Sequence, residues 1–230
     1  MVQGKSSQDR CTRLVLALCI VMTSPAVSAA APYSFDAPNQ YLTRAQDFPR
    51  WAALWARHLE QTPQIDACLA DATQCPHYLT GYREVIVRAH DLTAQKKMTL
   101  VNRFINSRRW HLESGSHDDW HTLTEFLRDR GDCEDYAIAK YFALRQLDLP
   151  ADDLRVAITW DFATSAYHAV TVVRIDGHVY FLDVDGAPRL TQASYRFLFS
   201  INETAVWDHA AHKTAHVYSL NDGKAEEDGS

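Results

Sequence analysis

This chain is short of several things, and each shortage closes off a class of protein. Its 8 glycines are scattered through 230 residues and never gather into a phosphate-cradling loop, which removes the nucleotide-binding motifs built on such loops. Positive charge is outnumbered: 23 Lys and Arg face 29 Asp and Glu, a net charge of −6, which argues against nucleic acid or an anionic membrane surface as partner. No internal repeat and no long linker interrupts it. Apolar runs of membrane-spanning length are missing too. The longest, Leu14 to Met22, is too short to cross a bilayer.

That short run has another reading. Lys5, Arg10 and Arg13 precede it, and Val27-Ser28-Ala29 follows as a small-residue cleavage signal, the layout of a secretory signal peptide over residues 1–30. A lipoprotein anchor at Cys19 is disfavoured because Leu18 stands where a small residue is wanted. The expectation is an exported, periplasmic protein that is not membrane-embedded. Residues 31–215 then form one domain, and 216–230 a polar, acidic tail.

Cysteine is also scarce, with 5 in all. Cys11 and Cys19 leave with the signal, so three thiols reach an oxidising compartment. Cys68 and Cys75 sit close enough in a loop-like stretch to pair with each other, or are two separate buried thiols. Cys133 is the odd one out, and a free thiol in such a compartment is oxidised or used.

Apolar positions at helical spacing predict helices over 46–60, 82–90, 97–106, 122–130 and 133–147. Gly131 stops the fourth, and the fifth is apolar almost all round except Lys140, Arg145 and Gln146. The period then changes from 3.6 to 2, predicting strands over 154–160, 168–175, 178–184 and 195–201. Asp176-Gly177 between two of them is a two-residue hairpin signal. Helices followed by an antiparallel sheet make an α+β domain.

Cys133 falls at the first turn of the fifth helix, with Asp132 as N-cap and Asp135 completing a capping-box pattern. Backbone N–H groups and the positive helix end favour the thiolate. A thiolate nucleophile needs a proton carrier, and His168 is the candidate. If Ile175 pairs with His178 across the turn, His168 falls opposite Asp185, with Asp183 diagonally adjacent on the same face. Either carboxylate can then orient the imidazole. Asp132, Glu134 and Asp135 crowd negative charge around the sulfur, which opposes the thiolate unless a hard cation such as Ca²⁺ is bound; the bland alternative is ordinary capping. His209, His212 and His216 share a helical spacing but lack a carboxylate base among them, a weak metal signal.

Asp119-Trp120, Glu125-Phe126-Leu127, Gly131-Asp132-Cys133-Glu134-Asp135-Tyr136 through Tyr141, His168-Ala169-Val170 and Leu182-Asp183 together resemble the bacterial transglutaminase-like cysteine proteinases. The resemblance runs from about Arg50 to Trp207. It implies a papain/transglutaminase-like fold, with N-terminal helices and a catalytic helix packed on an antiparallel sheet. It implies a periplasmic, calcium-dependent cysteine peptidase with Cys133 as nucleophile, His168 as general base and acid, and Asp183 as orienting carboxylate. Asp132, Glu134 and Asp135 would serve Ca²⁺. The implied substrate is the N-terminal region of a large surface adhesin, cut near a pair of alanines to promote biofilm dispersal. The implied regulator is an inner-membrane cyclic-di-GMP receptor, docked by Trp120. Val184 departs from the Asn usual after the Leu-Asp pair. Two other readings remain: a transglutaminase that passes the acyl group to an amine, and a non-catalytic calcium-binding interaction protein.

Overall fold

The computed structural model describes residues 33–36, 41–111, 119–191 and 194–209; the signal, the acidic tail, His212 and His216 lie outside them. After one short strand come five α-helices: α1 (Pro49–Ala70), α2 (His77–Ala89), α3 (Ala94–Asn106), α4 (Leu123–Asp129) and α5 (Cys133–Gln146). Six strands, β1 (Tyr41–Arg44), β2 (Leu154–Asp161), β3 (Ala166–Ile175), β4 (His178–Leu182), β5 (Tyr195–Ile201) and β6 (Ala205–Asp208), form one sheet in the order β1-β6-β5-β2-β3-β4. Every neighbouring pair is antiparallel. No helix among the described residues is long and apolar enough to cross a membrane.

The first helix runs further than its early periodicity predicts. It opens with Pro49 in the first turn, where a missing N–H costs nothing, and continues through Pro63. An internal proline forfeits a backbone hydrogen bond at about 3 kcal/mol. Past it, Ile65 and Cys68 extend the buried stripe begun by Trp51 and Leu54. Burying such side chains contributes about 1.5–3 kcal/mol each, enough to carry the helix over the break. Cys68 therefore lies in a helix rather than a loop, and it is bridged to Cys75.

Helix α5 is the centre of the molecule. Every residue from Glu134 to Leu144 is buried, Lys140 included. It packs on β3 and β2 behind, and on α3 and α4 in front. Thr171 Oγ1 donates to the Ala137 carbonyl at 2.9 Å, which sets the helix in register against β3.

Both faces of the sheet are covered. Val156, Ala169, Val173, Leu182 and Ile201 face the helices. Ala157, Val170, Val172, Phe181 and Phe197 line the other face, where Tyr33 and Phe35 cover them. The hairpin pairs Ile175 with His178, and Asp176 and Gly177 take φ of 51° and 76°, as the Asp-Gly signal predicts for a type I′ turn. Strands β1, at one edge of the sheet, and β6 beside it are absent from the periodicity, being four residues each.

Candidate active site

A tight turn sets the thiol in place. Thr122 and Glu125 form a capping box at the start of α4, and Arg130 ends that helix with φ 80°. Gly131 follows, and its lack of a side chain is obligatory: a Cβ there would stand 1.9 Å from Asp135 Oδ2. Asp135 fills that space. Its Oδ1 accepts the His121 N–H at 2.7 Å, and its Oδ2 accepts the Asp132 N–H at 3.3 Å and lies 3.2 Å from His121 Nδ1. Asp132 and Asp135 make a capping box, with Cys133 as the first residue of α5.

Cys133 is the free cysteine among the described residues, and it is partly exposed. Its Sγ donates to Glu134 Oε2 at 3.1 Å. The thiol's pKa is raised, first by burial, then by the charge and hydrogen bond of Glu134, with Asp132 adding to it. The Ala169 N–H, donated to the sulfur, works in the opposite direction and does not prevail. Of the two opposed influences expected on the sulfur, the carboxylates' prevails: burial, Glu134 and Asp132 together outweigh the Ala169 N–H.

Ala169 is the neighbour of His168 on β3. The last pair between β3 and β4 is Thr171 with Leu182, so the start of β3 is clear of β4 and its edge is open to α5. His168 Nε2 meets Asp183 Oδ1 at 2.8 Å, so Nδ1 is the ring nitrogen not committed to that carboxylate. The imidazole lies edge-to-face on Tyr195, with ring centroids 5.5 Å apart.

Asp183 is buried, and nearly every polar atom it has is engaged. Oδ1 also accepts the Val184 N–H at 2.7 Å, and Oδ2 accepts the Tyr195 hydroxyl. Its carbonyl accepts Lys140 Nζ at 2.5 Å and Asn106 Nδ2 at 3.0 Å. Burial pushes the carboxyl up, but His168, Tyr195 and the Val184 N–H more than offset that and bring it down to about 2. Asp185, the residue expected directly opposite His168, is not there. The ladder ends first, and the Asp185 side chain, 75% exposed, pairs with Arg189 at 2.9 Å.

One oxygen each of Asp132 and Glu134 and the Cys133 sulfur lie within 4.8 Å of one another. The two carboxylates are the hard, acceptor-only donors that a Ca²⁺ shell uses, so these residues fit the ion. Asp135 is not in that group. It is turned toward His121 and the Asp132 N–H, and its part is to build the turn.

Trp120, given by the resemblance to receptor docking, is 5% exposed, stacked on Phe48 and set edge-on to Trp51, with the Arg50 guanidinium 5.4 Å from the ring. Its indole belongs to the core. His209 likewise shares no metal cluster among the described residues; it bonds Ser200 Oγ at 2.8 Å and packs on Tyr33.

Sequence reasoning missed Tyr195, Lys140 and Asn106. Lys140 carried a signal, a cation in the middle of a helix whose other charged residues stand in its first and last turns. Tyr195 carried none, since the strand order that brings β5 beside β2 is not written in local periodicity.

The helices, the sheet and the thiol at a helix start define a papain/transglutaminase-like α+β fold. The model of the bacterial transglutaminase-like cysteine proteinases, BTLCP, matches residues 63–214, and the chain belongs to that family. Among solved structures, Legionella pneumophila LapG aligns at 22% identity and a TM-score of 0.55, over 63% of this chain and 87% of that one. Its calcium-bound form aligns at 22% identity and a TM-score of 0.56, over 67% of this chain and 91% of that one. An EGTA-treated form gives 22% identity and a TM-score of 0.56, over 64% and 86%. None of the curated proteins matches.

Proposed function

We propose that this protein is a calcium-dependent cysteine endopeptidase, exported to the periplasm, that cuts the N-terminal region of a large surface adhesin near a pair of alanines. The observation that carries the reading is local: the Cys133 sulfur takes the N–H of the residue beside His168, whose far nitrogen is held by Asp183. Family membership supports a peptide substrate. The adhesin, and control by an inner-membrane cyclic-di-GMP receptor, extend the family resemblance to this chain. Because Trp120 is buried, receptor docking would use another surface or a rearranged one.

In this reading the Cys133 proton passes to His168 Nδ1 as the sulfur attacks the scissile carbonyl. Asp183 holds the ring and steadies the imidazolium through Nε2. The imidazolium gives its proton to the leaving amine, the C–N bond breaks, and the acyl group remains as a thioester. His168 then takes a proton from water, the hydroxide attacks, and the C–S bond breaks to release a carboxylate. Asp132 and Glu134 would hold the calcium, which would supply positive charge against the two carboxylates that otherwise oppose the thiolate.

The test is incubation with an adhesin N-terminal fragment, with and without a primary amine, in calcium or excess chelator. Calcium-dependent appearance of a new N-terminus, lost in Cys133→Ala, supports the peptidase. Amine incorporation without cleavage would make it an acyltransferase. Neither product, with an unreactive thiol, would leave only a binding protein.

A further inference from the structure

We infer that Tyr195 is a positioning residue for the site, fixing the rotation of the Asp183 carboxylate so that Oδ1 is presented to His168 Nε2. This rests on the peptidase reading and adds to it a residue from a different strand. Two oxygens on a carboxylate can exchange by rotation about one bond. Here rotation would break the Tyr195 bond to Oδ2 together with the Val184 and His168 bonds to Oδ1. Tyr195 is buried and stands at the first position of β5, opposite Asp161 on β2, in a sheet where His168 lies opposite Thr159 of the same strand. Strand β2 therefore sets the spacing between the tyrosine and the histidine. The ring adds a second restraint, lying edge-to-face against the imidazole.

The charged and titratable neighbours of Asp183 are few. His168 comes from β3 and Tyr195 from β5, Lys140 reaches the carbonyl from α5, and Arg189 Nη1 stands 3.8 Å from Oδ2. Asp161 and Arg189 also act on the Tyr195 phenol. Arg189 is half exposed and already paired with Asp185, so it is a poor substitute for the hydroxyl. Burial and the Asp183 charge push the phenol well above its ordinary range, so it stays a donor over the working pH range of a thiol enzyme.

The test measures the alkylation rate of Cys133 by iodoacetamide at pH 7, in calcium, for wild type, Tyr195→Phe, Asp183→Asn and the double variant. A charge-assisted hydrogen bond of this kind sets an expected loss of about tenfold for Tyr195→Phe. In the Asp183→Asn background, the same change should cost nothing further, because the residue acts through Asp183. An unchanged rate, or an equal loss in both backgrounds, would overturn the inference. His168→Ala separates this from the peptidase reading. If it leaves alkylation unaltered, that reading fails; if it slows alkylation while Tyr195→Phe does not, only the role of Tyr195 fails. Should Tyr195→Phe not fold, the Tyr195 hydroxyl proton is followed by NMR in the unmodified protein and in Asp183→Asn: a protected, downfield hydroxyl that moves upfield in Asp183→Asn supports the bond, and one in free exchange with solvent overturns it.

Discussion

Lys140 Nζ donates to the main-chain carbonyl of Asp183 at 2.5 Å from the middle of α5, the helix that begins with Cys133. One rigid element thus carries the thiol at its tip and, two turns on, a tie to the residue that holds His168. Separation between the two halves of the site is fixed by a helix rather than by loops, which suits chemistry sensitive to displacements of about 1 Å.

Burial pulls the Lys140 amine down to about 7, against the pull of Asp183 and Asp185. Its folded value lies below its unfolded one, so between about 7 and 10.5 the unfolded chain binds more protons and stability rises with pH. Urea denaturation at pH 7, 8 and 9 should show that rise in wild type and a flatter response in Lys140→Met. Parallel curves would mean the amine is not depressed. The variant should also lose activity by about tenfold as the Asp183 carbonyl loses a donor.

The two carboxylates after β4 should behave very differently. Asp183→Asn removes a buried acceptor of three donors, and cleavage should fall by about 10²-fold or more. Asp185→Asn alters an exposed group paired with Arg189 and should stay within about twofold of wild type. Initial cleavage rates at saturating substrate compare them directly, and similar losses would return Asp185 to the site.

Much of this was legible in the sequence, for identifiable reasons. The Asp-Gly turn fixed the register of β3 against β4, so His168 and the two candidate aspartates could be placed on one face from residue numbers alone. What could not be read was where the ladder stops. Leu182 pairs with Thr171 and the chain then leaves the sheet, a tertiary decision that separates Asp183 from Asp185. Asp135 was legible as a capping residue but not as the filler of the space above Gly131, because contacts across a turn have no periodicity. Trp120 was given to docking by the family resemblance and not by its local sequence, and the packing of Phe48 and Trp51 from α1 and its approach is what buries it.

Glu134 should have opposite effects with and without calcium. Its charge and hydrogen bond oppose ionisation of Cys133 in the bare protein. In chelator, Glu134→Gln should therefore speed alkylation of the thiol at pH 7 by several-fold, up to about tenfold. In calcium the same variant would lose a ligand of the proposed ion, and cleavage should fall relative to wild type. Rates for both proteins in both buffers give the crossing pattern. If Glu134→Gln slowed alkylation in chelator too, the carboxylate would be aiding the thiolate rather than opposing it.

Gly131→Ala is the sharpest structural test of how the thiol is held. The new methyl would occupy space now filled by Asp135 Oδ2, Cβ and Cγ, at 1.9, 2.5 and 2.6 Å. Asp135 cannot yield cheaply. Asp135 is 1% exposed and braces the His121 N–H as well as the capping box, so displacing it opens the turn from both sides. A buried carboxylate losing its donors and an overpacked turn together predict a loss of about 2–4 kcal/mol, read as a shift in the denaturation midpoint. Activity should fall further than stability, because the first residue of α5 moves with the turn. Gly131→Ala combined with Asp135→Ala removes the clash but not the lost bonds. It should recover part of the stability and little of the activity, and full recovery of both would show that Asp135 has no part in aiming Cys133.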